Sequence, residues 1–100
     1  MGKLEGRLAL VTGASRGIGE HCARALSEQG ARVALAARSE DDLLRVAAEL
    51  ANDPVVLPID LTKPGAGAEL AALAVKALGG VDILVNNAGI GEIKDEDEMV

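Results

Sequence analysis

Residues 12–19 read Thr-Gly-Ala-Ser-Arg-Gly-Ile-Gly, and this stretch decides the fold. It follows Arg7–Thr12, a short apolar run without alternation, which predicts a strand buried on both faces. Gly30 then provides a natural stop for a helix. Between the turn and that stop, apolar residues recur at helical spacing at Ile18, Cys22, Ala25 and Leu26. The stretch therefore predicts a glycine-rich turn that joins a buried strand to a helix.

The chain beyond this turn alternates short apolar runs with amphipathic segments. Further strands are predicted at 32–36, 55–59 and 81–85, and Pro58, which cannot donate to a ladder, predicts that the third strand lies at a sheet edge. A helix is predicted after Ser39 as its N-cap and another from Thr62. Their expected apolar faces are Leu43, Leu44, Val46, Ala47 and Leu50, and Leu70, Leu73, Ala74, Ala77 and Leu78. This alternation predicts an α/β fold with helices on the faces of a parallel sheet.

The composition limits which chemistry the chain can perform. Apolar residues make up 49% of the 100 residues, yet there is no Phe, Tyr or Trp. The apolar content argues against a disordered chain. The core should nevertheless be thin, because small aliphatic side chains bury less area than aromatic rings. A mechanism that needs a tyrosine acid, or an aromatic ring on which a base stacks, is excluded for this chain alone.

The charge and cysteine content exclude further classes. The formal net charge is -6, and the excess of acidic residues lies in residues 51–100. Without a basic stripe, nucleic acid is a poor partner. No apolar run approaches the length of a membrane span, and the single Cys22 allows no intramolecular disulfide. We therefore expect a cytoplasmic protein that binds neither nucleic acid nor membrane.

The glycines of the turn suit a phosphate-bearing ligand. Gly13 permits the tight turn out of the strand, Gly17 lets a phosphate approach the backbone, and Gly19 lets the helix pack close to the strand. The helix start then presents free N–H groups and partial positive charge to a diphosphate. The alternative is a plain glycine-rich turn, which the strand-turn-helix context disfavours.

Together with Asn86-Asn87-Ala88-Gly89 after the fourth strand, the turn resembles the short-chain dehydrogenase/reductase family, from Leu4 to about Gly91. The resemblance implies a Rossmann-type doubly wound parallel sheet of about four strands and three helices, in the order 3-2-1-4. It implies an NAD(P)-binding half-domain at residues 1–91 and an acidic tail, or the start of a truncated helix, at 92–100. The residues that it places around the cofactor are Gly13, Ser15, Arg16, Gly17, Ile18 and Gly19 at the diphosphate, Asp60 and Leu61 beside adenine, and Asn87, Ala88 and Gly89 along the ribose.

Two arginines favour NADP as the cofactor, with NAD possible. Sheets of this type that bind NAD place an acid at the end of the second strand, where this chain has Ala37. Arg38 follows it, and Arg16 lies in the glycine turn. Guanidinium groups bind phosphate through paired hydrogen bonds, so both suit a 2′-phosphate. The alternatives are that both arginines are solvated surface residues and that Asp60 caps the following helix.

The family catalyses with a Tyr-x-x-x-Lys pair beyond the fourth strand, and this chain contains no tyrosine. The resemblance thus implies the cofactor-binding part of an oxidoreductase that transfers hydride between nicotinamide and a carbonyl or alcohol, with the catalytic half absent and no activity alone. The alternatives are a non-catalytic nucleotide-binding module and, less favoured, a methyltransferase-type fold. The apolar fourth strand would form an exposed edge, from which we expect self-association.

Overall fold

Four short strands pair in parallel in the computed structural model, which describes residues 2–87. The strand order is β3-β2-β1-β4, and three helices connect the strands. This confirms the predicted Rossmann-type fold and strand order. Ala88, Gly89 and the predicted segment 92–100 lie outside the described residues. The elements are β1 (Leu8–Thr12), α1 (Gly17–Glu28), β2 (Arg32–Ala37), α2 (Glu40–Ala47), β3 (Val55–Pro58), α3 (Ala66–Leu78) and β4 (Ile83–Asn86).

The strand register brings all four carboxyl ends to one edge of the sheet. Val11 in β1 lies opposite Leu35 in β2 and Val85 in β4. β2 in turn pairs in parallel with β3, with Ala37 opposite Pro58. Parallel strands end at the same edge, so the segments that follow β1, β2, β3 and β4 meet there. This edge is where a ligand is expected in a fold of this type.

The two faces of the sheet carry separate cores, as the sequence predicted. α1 and α2 pack on one face, around the buried residues Ala9, Val11, Ala14, Ala23, Ala31, Val33, Leu35, Leu43 and Val46. Of the helices within residues 2–87, only α3 packs on the other face, with Leu10, Ala34, Ala36, Leu70, Ala74 and Leu78. These residues are all Ala, Val or Leu, since the chain has no aromatic side chains. The face covered by α3 is the less protected, and Leu84 of β4 is 61% exposed.

The buried face of α1 is not the one that its apolar spacing predicted. Gly19, Ala23 and Ser27 are the buried residues, whereas Ile18 is 67% exposed and Cys22 is half-buried. The helix is turned by about one residue, or 100°, from the predicted orientation. Small residues on the inner side let the helix lie close to the sheet, and this requirement outweighs the burial of one isoleucine. Ala25 of the same helix is also exposed, as are Leu44 and Leu73 from the faces predicted for the next two helices.

Local hydrogen bonds explain where the elements begin. Ser39 caps α2 as predicted, since the Asp42 N–H donates to Ser39 Oγ at 3.3 Å. α3 begins at Ala66 rather than at Thr62, after Gly65 in the left-handed conformation with φ 78°. β4 begins at Ile83 rather than at residue 81, because Asp82 bonds at the strand start. Its carboxylate accepts from the Leu8 N–H at 2.9 Å, and its own N–H donates to the Leu8 carbonyl at 2.7 Å.

Within residues 2–87, the helices are too short or too polar to cross a membrane.

Candidate functional site

The glycine-rich loop leaves the carboxyl end of β1 and is held from its first residues. Gly13 has a φ of 62°, a left-handed conformation that favours glycine and turns the chain out of the strand. Ala14 is fully buried, and its N–H donates to the Ala36 carbonyl at 3.2 Å. The loop is therefore anchored to the last residues of β2, the segment that leads into Arg38.

Gly19 is required by the close approach of α1 to the loop. A Cβ at this position would lie 2.0 Å from the Gly13 carbonyl oxygen and 3.0 Å from Asn87 Nδ2. These distances leave no room for a side chain, which agrees with the packing role that the sequence predicted. At Gly17, the first residue of α1, φ is 61° and a Cβ would meet nothing within 4 Å. The backbone there faces open space at the start of the helix, as a bound phosphate would require.

The two asparagines at the end of β4 hold the loop from the other side. Asn87 Nδ2 donates to the Gly13 carbonyl at 3.4 Å. Thr12 Oγ1 lies 3.3 Å from both the Val85 carbonyl and Asn86 Oδ1, and it can donate to one of them at a time. Asn86 and Asn87 thus tie the end of β4 to the end of β1. This gives the Asn-Asn pair a visible structural role, and Ala88 and Gly89 lie outside the described residues.

Arg16 and Arg38 lie at the same edge of the sheet, and neither guanidinium group is hydrogen-bonded within residues 2–87. Both side chains are exposed, and neither makes a salt bridge in that part of the chain, although the positive charge of Arg38 acts on the Asp60 carboxylate. Ala37, the last residue of β2, offers no carboxylate at the position where one would bind a ribose hydroxyl. The edge therefore has two guanidinium groups that are free to bind an anion from solution.

Arg45 contacts the glycine-rich loop, and the sequence alone did not predict this contact. Its Nη2 donates to the Ser15 carbonyl at 2.9 Å, and its Nη1 lies 3.8 Å from Glu20 Oε2. Arg24 completes this group, with Nη2 2.6 Å from Glu20 Oε2 and in contact with Glu49. No local pattern announces this contact, because α2 must fold against α1 before Arg45 meets the loop.

Asp60, which follows β3, closes a turn with Thr62. Asp60 Oδ1 accepts from the Thr62 N–H at 3.0 Å and from the Thr62 hydroxyl at 2.6 Å. The hydroxyl bond is the largest cause of a lowered pKa of the Asp60 carboxyl, with the backbone bond next and smaller effects of Arg38 and Lys63. The carboxylate is therefore charged and held at the carboxyl edge. Oδ2 has no hydrogen bond within the described residues, so Asp60 can both order the turn and accept from a ligand.

Removing the Thr62 hydroxyl should raise the pKa of Asp60 towards its ordinary value. In the folded protein this pKa is depressed, so the carboxylate stabilises the fold above the ordinary pKa and loses that contribution as the pH falls through the folded value. In Thr62→Val the pKa of Asp60 is less depressed, so the carboxylate contributes less stability, and that contribution is fully lost at a higher pH than in the wild type. Carboxyl carbon shifts followed by NMR titration measure this directly, with Asp53, an exposed aspartate on another loop, as the internal control. Identical titration curves of Asp60 in both proteins would show that the Thr62 hydroxyl is not the main cause of its lowered pKa.

Leu61 lies at a cavity of about 180 Å³ between α3 and strands β1 and β4. It shares the lining with Thr12 and Asn86 from the carboxyl edge and with Leu10, Leu70 and Leu84 from the sheet and helix. The structure therefore brings Leu61 together with residues next to the glycine loop. His21 is exposed, and within residues 2–87 no cluster of His, Cys, Asp and Glu could hold a metal ion.

Comparisons with known proteins agree with this geometry. The sequence pattern of the family described as short chain dehydrogenase matches residues 7–100. A Staphylococcus aureus protein named as an uncharacterized oxidoreductase is 48% identical over 87 residues, which are 86% of this chain and 38% of that protein.

Two crystal structures show the same fold. A 3-ketoacyl-(acyl-carrier-protein) reductase from Brucella melitensis, complexed with NADH, is 34% identical, with a TM-score of 0.75 over 82% of this chain and 34% of that one. A hydroxysteroid dehydrogenase from Escherichia coli is also 34% identical, with a TM-score of 0.78 over 83% of this chain and 36% of that one. This chain thus spans little more than a third of the length of the relatives that it matches.

Proposed function

This chain belongs to the short-chain dehydrogenase family, and from that premise we propose that it forms the dinucleotide-binding part of an NADP-dependent oxidoreductase. Residues 1–91 would form the half-domain that holds the dinucleotide, and the nicotinamide, when bound, would supply or accept hydride at a carbonyl or alcohol carbon. The tyrosine that the family uses for proton transfer is missing from these 100 residues. We therefore propose that this chain binds the cofactor but does not turn over substrate alone.

The start of α1 is the observation that carries this proposal. Gly17 faces open space in a left-handed conformation that residues with a side chain rarely adopt. At Gly19 the helix packs directly against Gly13. The first N–H groups of α1 lack partners within the helix, as at every helix start, and the partial positive charge there favours a diphosphate. Gly13, Ser15, Arg16 and Ile18 would complete this subsite. Asp60 and Leu61 would lie beside the adenine, and Asn87, Ala88 and Gly89 along the ribose.

The choice of NADP over NAD is supported by charge. Arg38 and Arg16 are exposed and unpaired within residues 2–87, and Ala37 leaves the end of β2 without an acid. A 2′-phosphate would gain charge-assisted hydrogen bonds from the guanidinium groups, whereas a 2′-hydroxyl would lack its usual carboxylate acceptor. The related reductase from Brucella melitensis is complexed with NADH, so this preference needs a direct test.

Calorimetric titration with NADPH, NADH and S-adenosylmethionine tests the function. We expect NADPH to bind most tightly, NADH more weakly, and S-adenosylmethionine not to bind, because it has no phosphate for the loop. Binding of S-adenosylmethionine alone would favour a methyltransferase-type fold instead. If the chain is a non-catalytic nucleotide module, AMP should bind as tightly as NADPH. Reductase turnover by the purified chain would contradict the proposal that this chain binds the cofactor without catalysing the reaction alone.

We also propose that the chain associates with itself through β4. This strand pairs with β1 on one side, and residues 2–87 supply no strand on its other side. Leu84 there is 61% exposed. An apolar edge strand is a template for pairing with another chain. Sedimentation velocity should show a mass that rises with concentration, and Leu84→Lys should shift the protein towards the monomer. A monomer at every concentration would refute this proposal.

The cellular compartment that fits these properties is the cytoplasm. The single Cys22 allows no disulfide within the chain, which suits a reducing environment.

A further inference from the structure

We propose that Arg45 is a positioning residue. By fixing the Ser15–Arg16 peptide, it sets the preference for a dinucleotide that carries a 2′-phosphate over one that does not. The inference rests on the proposed function, because it concerns the same site. Arg45 lies in α2, outside both the glycine loop and the segment that carries Arg38. Its influence on the ligand would be exerted through the backbone and charge of the loop.

The first step of the argument is the geometry of one peptide. Arg45 Nη2 donates to the Ser15 carbonyl oxygen at 2.9 Å. The carbonyl and the N–H of a trans peptide point in opposite directions, so a fixed Ser15 carbonyl also fixes the direction of the Arg16 N–H. Arg16 itself is the N-cap of α1, in extended conformation, and no side chain caps the helix there. Arg45 therefore orients the residue from which α1 begins.

The second step concerns the charge of Glu20. This acid lies in the first turn of α1, where it would repel a diphosphate at the helix start, and its side chain is only 18% exposed. Arg45 Nη1 lies 3.8 Å from Glu20 Oε2, and Arg24 Nη2 lies 2.6 Å from the same oxygen. The two guanidinium groups offset the negative charge that faces the loop. Loss of Arg45 would leave more of the negative charge of Glu20 uncompensated. This would weaken the binding of NADPH more than that of NADH, because NADPH carries the additional phosphate.

The third step is the position of α2. Its N-cap, Ser39, directly follows Arg38 in the chain, so the orientation of α2 and the location of Arg38 are coupled. Arg45 ties this helix to the glycine loop that carries Arg16. One residue thus links the two segments whose arginines would hold the 2′-phosphate. A ligand with that phosphate depends on both segments, whereas a ligand without it depends mainly on the loop.

The test compares R45M and R45K with R32M by titration with NADPH and NADH. Arg32 is a matched control, since its Nε donates to the Asp53 carbonyl at 2.8 Å and its Nη2 lies 3.3 Å from Asp53 Oδ2, at the opposite end of β2. For R45M we expect the affinity for NADPH to fall about tenfold and that for NADH about twofold, in keeping with the loss of one charge-assisted bond. R45K should fall about threefold for NADPH, because lysine can restore one of the two contacts.

The ratio of the NADPH affinity to the NADH affinity distinguishes a positioning role of Arg45 from a general effect on stability. R32M should keep the wild-type ratio even though it loses a similar pair of contacts. If the wild type binds NADPH more tightly than NADH but R45M and R45K keep its ratio, the inference fails and the proposed function stands. If the wild type binds neither dinucleotide, both fail. Amide hydrogen exchange at Glu20, whose N–H donates to the Arg16 carbonyl at 3.3 Å, adds a second measurement without ligand, and it should be faster in both Arg45 variants than in R32M.

Discussion

Replacing Gly19 by alanine should destabilise the protein by about 3 kcal/mol, because the new methyl group would overlap with backbone atoms that cannot give way. An added Cβ would lie 2.0 Å from the Gly13 carbonyl oxygen and 2.6 Å from its carbon. Relief requires α1 to move off the sheet, which would open the core around Ala23. The glycine loop would move with the helix, so dinucleotide binding should be lost together with stability.

Gly67 offers the matched control for this substitution. It also lies in a helix, α3, but a Cβ there would meet nothing within 4 Å. Gly67→Ala should therefore stabilise the protein by about 0.5–1 kcal/mol, since alanine loses less backbone entropy on folding. Urea unfolding followed by circular dichroism measures both changes in a chain without aromatic residues. Equal effects of the two substitutions would show that α1 does not need its close approach to the loop.

Replacing Arg38 by alanine should weaken NADPH binding by about 10- to 100-fold, with a change of no more than about threefold for NADH. The estimate corresponds to the loss of one or two charge-assisted hydrogen bonds to a phosphate. Arg38 has no ion pair or hydrogen bond to give up within residues 2–87, so its removal should leave the fold unchanged. Calorimetric titration with the two dinucleotides provides the measurement.

Arg7 provides the control for Arg38. It is an exposed arginine whose side chain also lacks a partner within the described residues, but it precedes β1 at the opposite edge of the sheet. Arg7→Ala changes the net charge by the same amount and should leave both affinities within about twofold of the wild type. An equal loss for NADPH and NADH in Arg38→Ala would remove the basis for preferring NADP.

The sheet could be predicted from the sequence because its signals are local. Unbroken apolar runs marked the strands, Pro58 marked the edge, and Ser39 marked the start of α2, all of which the structure confirms. The glycine loop could be located for the same reason. Gly13 and Gly19 are needed for a turn and for a close approach, and both needs are visible in the sequence.

Features that depend on contacts between elements could not be predicted in this way. The apolar spacing of α1 indicated a face that includes Ile18, but the side facing the sheet had to be small, so Gly19, Ala23 and Ser27 occupy it. Arg45 looked like an ordinary last-turn residue of α2 until the folded structure placed it against Ser15. Asp60 was predicted as a site residue from the sequence. Its hydrogen bond to Thr62 could not be predicted, because that bond depends on the geometry of the turn.

The two margins of the sheet differ in a way that limits how large an assembly can become. Just after β3, the Ile59 N–H donates to the Ala37 carbonyl of β2, so the N–H positions of the alternate residues Val56 and Pro58 face the open edge, and proline has no N–H to offer. β4, at the far margin, has no such interruption. Within residues 2–87 the sheet thus offers one receptive edge, so two copies that joined there would use up their available strands. Growth would therefore end at a closed pair related by twofold symmetry, and open-ended fibres would not form.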